Sequence, residues 1–158
     1  AVGAYPIKTV LAMDKICREV EKQPQTRTSN HRLECRFERI DEAIAMASMY
    51  TANHLDIKAI IALTESGSTP LWMSRIRSGI PIFGISRHTL SRHKMALYRG
   101  VFPIACDLSQ VADIEVNNTA IAAIKKQGYV KAGDRVIITE GVKNVHGQTN
   151  IMKIVEVE

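Results

Sequence analysis

One short segment of this chain has the residue types of an anion-binding turn: Thr64-Glu65-Ser66-Gly67-Ser68-Thr69-Pro70. It follows an apolar run at 57–63 and precedes a segment that can form a helix. Helix starts offer unpaired backbone N–H groups and a positive dipole end, to which phosphate binds. Gly67 permits a positive φ or a close backbone approach, and Thr69 followed by Pro70 suits an N-cap and first helical residue. The segment therefore predicts a phosphate site, although an ordinary capped turn explains the same residues equally well.

Two further polar segments follow predicted strands. Arg87 and His88 come after the strand predicted at 81–86, and a segment at 139–149 has a glycine near each end with Lys143 between them. Because ligands of such sheets bind beyond the carboxyl ends of the parallel strands, we expect the three loops to meet around a small phosphorylated ligand. The candidate binding residues are Thr64, Glu65, Ser66, Gly67, Ser68, Thr69, Arg87, His88, Gly141, Lys143, Gly147 and Thr149.

The loops offer binding chemistry but no catalytic constellation. The sequence gives no nucleophile–base pair, no paired carboxylates in one cleft and no metal-binding HExxH motif. Glu65 and Glu140 could approach the ligand, yet they could equally cap the backbone or orient a ribose hydroxyl. The residues alone therefore indicate a binding domain.

The elements that position these loops follow from the hydrophobic periodicity. Helices are predicted at 6–21, 41–54, 70–78, 89–97 and 111–127, and strands at 57–63, 81–86, 101–105, 135–139 and 149–157. Strand–helix units of this length give parallel strands with right-handed crossovers. The last two strands are joined by a loop too short for a crossover, so they must be antiparallel. The expected fold is a three-layer α/β domain: a five-stranded mixed sheet, four strands parallel and the last antiparallel, with helices on both faces.

The charge distribution favours anionic partners. The chain has 158 residues and a formal net charge of +5, and between Glu65 and Asp107 it has no acidic residue, six Lys or Arg and two His. Such a surface attracts phosphorylated metabolites, nucleic acid or an acidic subunit, and a solvated positive face without a ligand explains it as well. No apolar stretch reaches membrane-spanning length, so we expect no membrane association.

The cysteines and histidines predict neither disulfides nor metal. Cys17, Cys35 and Cys106 are far apart and odd in number, which favours buried thiols in a reducing cytoplasm. His88 and His93 are five residues apart and do not share a helical face. We therefore expect a cytoplasmic protein with no metal site in this chain.

Several short motifs together resemble the C-terminal domain of bacterial pyruvate kinases of the second type, and the resemblance extends along the entire chain. They are Ala1-Val2-Gly3-Ala4-Tyr5-Pro6, His31-Arg32-Leu33, Asp41-Glu42-Ala43-Ile44-Ala45-Met46, Thr64-Glu65-Ser66-Gly67, Ser86-Arg87-His88, Ala96-Leu97-Tyr98-Arg99-Gly100-Val101 and Gly147-Gln148-Thr149-Asn150. The resemblance implies the fold of that C-terminal domain. It also implies that residues 1–22 form the barrel end and linking helix, 23–39 a linker and 40–158 the regulatory α/β domain.

The resemblance also implies a regulatory role. The full enzymes transfer a phosphoryl group from phosphoenolpyruvate to ADP with Mg²⁺ and usually K⁺, in a barrel and a lid domain that this chain lacks. The chain alone is therefore expected to have no catalytic residue, no cofactor and no kinase activity, and to contact other subunits of a homotetramer.

In the family, the turn matching residues 64–69 holds an allosteric phosphate, and a loop matching 141–149 closes over the effector. Here Glu65 places a negative charge beside the phosphate. Relatives that bind a bisphosphate have an Arg in the last loop, near the second phosphate, whereas this loop has Val142, Lys143 and Asn144. Both differences favour a monophosphate such as glucose 6-phosphate, ribose 5-phosphate or AMP.

Two alternatives remain at this point. One is a purely structural oligomerisation module whose loops bind nothing. The other, less favoured, is nucleic-acid binding through the cations at 75–99, which needs exposed aromatic side chains among them. Trp72, Phe83 and Tyr98 are expected to be core or pocket residues instead.

Overall fold

A five-stranded sheet in the strand order β3-β2-β1-β4-β5 lies at the centre of the molecule. The computed structural model describes residues 2–23, 36–141 and 149–158. The elements in chain order are α1 (Pro6–Glu21), α2 (Ile40–His54), β1 (Ala59–Leu63), α3 (Ser68–Ser74), β2 (Ile82–Ser86), α4 (Thr89–Met95), β3 (Val101–Ala105), α5 (Val116–Lys125), β4 (Arg135–Gly141) and β5 (Thr149–Glu156).

The strand directions confirm the predicted mixed sheet. Strand β1 pairs in parallel with β2 on one side and with β4 on the other, and β2 pairs in parallel with β3. Strand β5 is antiparallel to β4, as the short connection requires. Strand β3 is an edge strand, which explains how it accommodates Pro103 within its length.

The sheet is covered on both faces, so the predicted three layers are confirmed. Along β1, Ile60 and Ala62 pack into a core formed with α2, α3 and α4, whereas Ala59 and Ile61 pack into a core formed with α5. This alternation is the period-2 pattern of a strand buried on both faces. The loops after β1, β2 and β4 consequently begin at one edge of a rigid sheet.

The start of α3 differs from its prediction. The helix begins at Ser68 and ends at Ser74, rather than spanning 70–78, and Gly67 rather than Thr69 is its N-cap. Pro70 is consequently the third helical residue and not the first. It fits there because the N–H groups of the first helical turn have no intrahelical acceptor. The left-handed conformation of Gly67, with φ of +82°, lets the helix begin two residues early.

Helices α4 and α5 also differ from their predicted bounds. Helix α5 begins at Val116 instead of 111, and α4 ends at Met95 instead of 97. The apolar residues in the discarded ends, Ile114 and Leu97, are both 87% exposed. Both side chains fit the helical spacing of apolar residues, so the prediction included them in the helices although they do not pack in the core.

Helix α1 has the predicted bounds but no buried residue. Ile7 is 75% exposed, Leu11 62% and Ile16 64%. For this reason Cys17, which was predicted to be buried, is exposed; Cys106 is half-buried, and both are free thiols. Cys35 lies outside the described residues. Within the described ranges, no helix combines the length and apolar character needed to cross a bilayer.

Candidate functional site

The turn between β1 and α3 is closed by its own hydroxyl groups. The Gly67 N–H donates to Thr64 Oγ1 at 2.9 Å, and the Ser68 N–H donates to Ser66 Oγ at 3.3 Å. In these bonds each hydroxyl uses an oxygen lone pair, which leaves its hydrogen for donation. The turn therefore presents the O–H groups of Thr64 and Ser66, and an anion that used the two N–H groups would have to displace the side-chain oxygens.

Gly67 is required in this turn for two separate reasons. Its φ of +82° lies in the left-handed region, which side chains with a Cβ rarely adopt. A Cβ at this position would also lie 3.0 Å from the Cγ of Met95, which is fully buried. The sequence prediction that this glycine can adopt a positive φ is confirmed.

The loop after β2 is held by Arg92. Its guanidinium donates to the carbonyls of Ser86 at 2.9 Å and Arg87 at 2.7 Å, and to Thr89 Oγ1 at 2.9 Å. The Ser86 hydroxyl accepts the His88 N–H at 3.2 Å. One cation of the basic segment thus fixes the loop, and the side chains of Arg87 and His88 project from that fixed backbone, about half exposed.

The first two loops meet at Glu65. Its carboxylate lies 3.6 Å from Arg87 Nε and is hydrogen-bonded to His88 Nε2. Its backbone carbonyl accepts a hydrogen bond from Ser91 Oγ at 2.6 Å. Three predicted site residues are therefore neighbours, and the acidic one already neutralises much of the positive charge that an incoming anion would meet.

The third segment approaches the first turn through its end. Thr149 Oγ1 lies 2.5 Å from Thr69 Oγ1, and both residues are buried. Gly141 pairs with Thr149 at the end of the β4–β5 ladder, where a register shift follows Glu140. Glu140 itself is paired with Lys153 at 2.5 Å and not with the first turn. Lys143 and Gly147 lie outside the described residues, so their predicted roles stay predictions.

Asp41 joins the candidate site through Ser68, a contact that the sequence analysis did not predict. It is 1% exposed and accepts from Arg39 Nε and Nη2 at 2.9 and 2.8 Å and from the Glu42 N–H at 3.0 Å. The Ser68 hydroxyl donates to it at 2.9 Å, so the Ser68 hydrogen is already engaged in this arrangement, and the predicted role of Ser68 in ligand binding stays a prediction. The hydrogen bond from Arg39, followed by the one from Ser68, holds the pKa of the Asp41 carboxyl below its ordinary value.

No sequence signal could have found the contact between Asp41 and Ser68, which are 27 residues apart. Asp41 was identified only as part of a motif near the start of α2, where an acidic residue suits the helix dipole in any protein.

The aromatic residues of the basic segment belong to the core, as predicted. Phe83 is fully buried on one face of the sheet, and Trp72 and Tyr98 pack against the core on the other face. The Arg75 guanidinium lies over the Trp72 ring, 4.3 Å from its centroid. These rings are therefore not arranged as an exposed stacking surface for nucleic-acid bases.

Fold and site together define a class of protein: a three-layer α/β domain whose polar loops meet at the carboxyl edge of a mostly parallel sheet. Residues 42–155 match the family described as pyruvate kinase, alpha/beta domain. The chain belongs to this family, and the resemblance found in the sequence is confirmed.

Full-length relatives agree with this assignment. The chain is 46% identical over 160 residues to pyruvate kinase II of Salmonella typhimurium and 47% identical over 159 residues to a pyruvate kinase of Buchnera aphidicola. It is 32% identical over 156 residues to a pyruvate kinase of Geobacillus stearothermophilus. The match covers 98–100% of this chain, 33% of the first two relatives and 26% of the third. The chain thus spans about a third of the first two relatives.

Proposed function

We propose that this domain is the regulatory domain of a pyruvate kinase and binds a phosphorylated effector at the loops after β1 and β2. The whole enzyme would convert phosphoenolpyruvate and ADP to pyruvate and ATP, in parts of the protein outside this chain. The observation that carries the proposal is the meeting of two loops at Glu65, Arg87 and His88 beside a hydroxyl-lined turn.

The phosphate would lie against the turn of residues 64–69. The hydroxyls of Thr64 and Ser66 act as acceptors in their bonds to the backbone, and each can still donate its hydrogen to the phosphate. Arg87 would supply positive charge at the rim and His88 a ring nitrogen for hydrogen bonding, in partial exchange for Glu65. A site with one guanidinium, one imidazole, one neighbouring carboxylate and neutral donors fits one phosphate group better than two, which supports a sugar monophosphate or AMP.

The metals of the whole enzyme do not fit this part of the chain. Within the described ranges, no three His, Cys, Asp or Glu side chains lie close enough together to hold a metal ion. We therefore propose that Mg²⁺ and K⁺ act in the remainder of the enzyme, and we derive no role for them in effector binding.

A purely structural assembly role is the second candidate, and the exposed apolar residues of α1 favour it. Apolar surface of this kind is usually covered by a partner. In a pyruvate kinase the partner would be the rest of the same chain or another subunit of a homotetramer. Effector binding and assembly are compatible, but an assembly module alone predicts no response to any phosphorylated ligand.

Thermal unfolding with added ligands distinguishes the two candidates. The ligands are glucose 6-phosphate, ribose 5-phosphate, AMP, fructose 1,6-bisphosphate and inorganic phosphate, at constant ionic strength. A ligand at about 100 times its Kd should stabilise the fold by roughly 2.7 kcal/mol, which raises Tm by a few degrees. We expect a shift from a monophosphate, and no shift with any ligand would contradict the proposal.

Ser66→Asp tests whether the turn is the site. The new carboxylate would repel the phosphate, so the ligand-induced shift should disappear while the fold is retained. Ala132→Asp is the matched control, because it adds the same charge in the exposed connection that leads into the amino end of β4. A shift that survives Ser66→Asp would remove this turn from the proposed site.

A further inference from the structure

The hydroxyl groups of the β1–α3 turn are of two kinds. Those of Thr64 and Ser66 accept backbone N–H groups, so their hydrogens remain for a ligand. That of Ser68 donates to Asp41 Oδ2 at 2.9 Å. An ionised carboxylate has only acceptors, so the direction of the Ser68 bond is fixed, and Ser68 presents oxygen lone pairs to its remaining surroundings.

Asp41 is held firmly enough to impose this direction. It is 1% exposed, and all four of its hydrogen bonds are accepted from donors on Arg39, Glu42 and Ser68. Ser68, in contrast, is half-buried, and it follows directly on the turn that carries Thr64 and Ser66. The buried carboxylate also places a negative charge behind the turn, compensated by Arg39.

We propose that Asp41 is the specificity-determining residue of the proposed effector site. By holding the Ser68 hydrogen, it makes Ser68 an acceptor and opposes ligands that present only anionic oxygens. The site then favours a phosphate monoester with its own hydroxyl group, which can donate to Ser68 while the phosphate binds Thr64 and Ser66. This inference rests on the proposed function, since it assigns selectivity to the same turn.

Asp41→Asn reverses the direction of the bond. The amide oxygen can still accept from Arg39 Nε and the Glu42 N–H, while the amide nitrogen replaces Oδ2 and donates to Ser68 Oγ. Arg39 Nη2 loses Oδ2 as its acceptor, but the Arg39 side chain is more than half exposed, so water can take that place. The Ser68 hydrogen is then released towards the ligand, and the buried negative charge is lost. Both changes favour a ligand that has only acceptors.

The test compares two probes by titration calorimetry at constant ionic strength. Ribose 5-phosphate carries hydroxyl donors, and sulfate carries none. We expect the wild-type chain to prefer ribose 5-phosphate, and Asp41→Asn to reduce that preference about tenfold, mainly through tighter sulfate binding. Ser68→Ala should weaken the binding of ribose 5-phosphate about fivefold, because its hydroxyl group loses the Ser68 oxygen as an acceptor. The binding of sulfate, which has no hydroxyl group to donate, should change by less than about twofold.

Asp56→Asn is the control for charge. Asp56 is an exposed carboxylate paired with Lys58 at 3.0 Å, just before the amino end of β1, and the substitution should leave the preference unchanged. Circular dichroism establishes that each variant is folded. If Asp41→Asn does not fold, Ser68→Ala alone decides, because it keeps the Asp41–Arg39 pair.

Each outcome is decisive. Equal weakening of both probes in Asp41→Asn would mean that Asp41 only supports the structure, and an unchanged preference in either variant would also overturn the inference, while the proposed function would stand. Binding of neither probe to the wild-type chain would overturn the inference, and the thermal unfolding series with the other monophosphates would then decide the proposed function.

Discussion

At the scale of single residues, the β1–α3 turn depends most on Gly67. Its positive φ and the 3.0 Å that would separate a Cβ on it from Met95 Cγ are separate constraints, and each disfavours a side chain. The turn was predictable from the sequence, because hydroxyl residues and glycine before a helix bond to the neighbouring backbone or adopt a positive φ whatever the rest of the fold is. Asp41 was not, because its partner Ser68 is distant in sequence and only the packing of α2 beside α3 brings them together.

Gly67→Ala should destabilise the fold by about 1–2 kcal/mol from the left-handed backbone alone, and by more because the new Cβ would lie 3.0 Å from Met95 Cγ. Gly100→Ala is the matched control. Gly100 also has a positive φ, of +69°, but among the described residues no atom lies within 4 Å of the place that a Cβ on it would occupy. Urea denaturation should show a larger loss for Gly67→Ala, and equal losses would exclude a role for the contact with Met95.

At the scale of elements, the strands were predicted well and the ends of α3, α4 and α5 poorly. The central strands β1, β2 and β4 are buried on both faces, so each contains a short apolar run whose residues are fixed by the core. The ends of α3 and α5 depend on backbone conformation and on which apolar residues reach the core. Gly67 in the left-handed region and the exposed Ile114 are features that periodicity does not encode.

The close approach of α4 to β2 gives a prediction at this scale. A Cβ on Gly84 would lie 2.4 Å from the Met95 sulfur. We expect Gly84→Ala to cost about 1–3 kcal/mol by overpacking and Met95→Ala to cost about 2–5 kcal/mol by leaving a cavity. The double variant should lose less than the sum of the two, because the added methyl enters the space that Met95 vacates.

A double-mutant cycle from urea denaturation measures this coupling. Additive losses would mean that Met95 moves away from Gly84 without resistance, so that the glycine is not needed for the packing of α4. Phe83→Leu, which alters the opposite face of β2, should be additive with Met95→Ala and serves as the control.

At the scale of the whole molecule, the sheet order and the two covered faces followed from the alternation of strands and helices. The exposure of α1 could not be predicted in the same way, because the spacing of apolar residues in a helix does not show which surface packs against them. Its apolar residues are exposed in this chain, with Leu11 at 62% and Val10 at 55%. An isolated chain with this surface should associate with copies of itself.

Sedimentation equilibrium should therefore show a mass that rises with concentration. Leu11→Glu should shift this association to higher concentration by about tenfold or more, since it places a charge in the contact. Thr9→Glu adds the same charge at a polar position of α1 and should have a smaller effect. A monomeric wild-type chain at all concentrations would contradict the prediction.

The hydroxyl pair of Thr69 and Thr149 has a consequence for biosynthesis. The two residues are 80 positions apart, and β4 lies between β1 and β5 in the sheet. A nascent chain emerges from the ribosome with its N-terminal elements first. One side of β1 consequently has no partner strand until β4 has been synthesised. Thr69 has no hydrogen bond to Thr149 until β5 has been synthesised. The nascent domain therefore has an unpaired strand edge throughout the synthesis of the segment that joins β1 to β4.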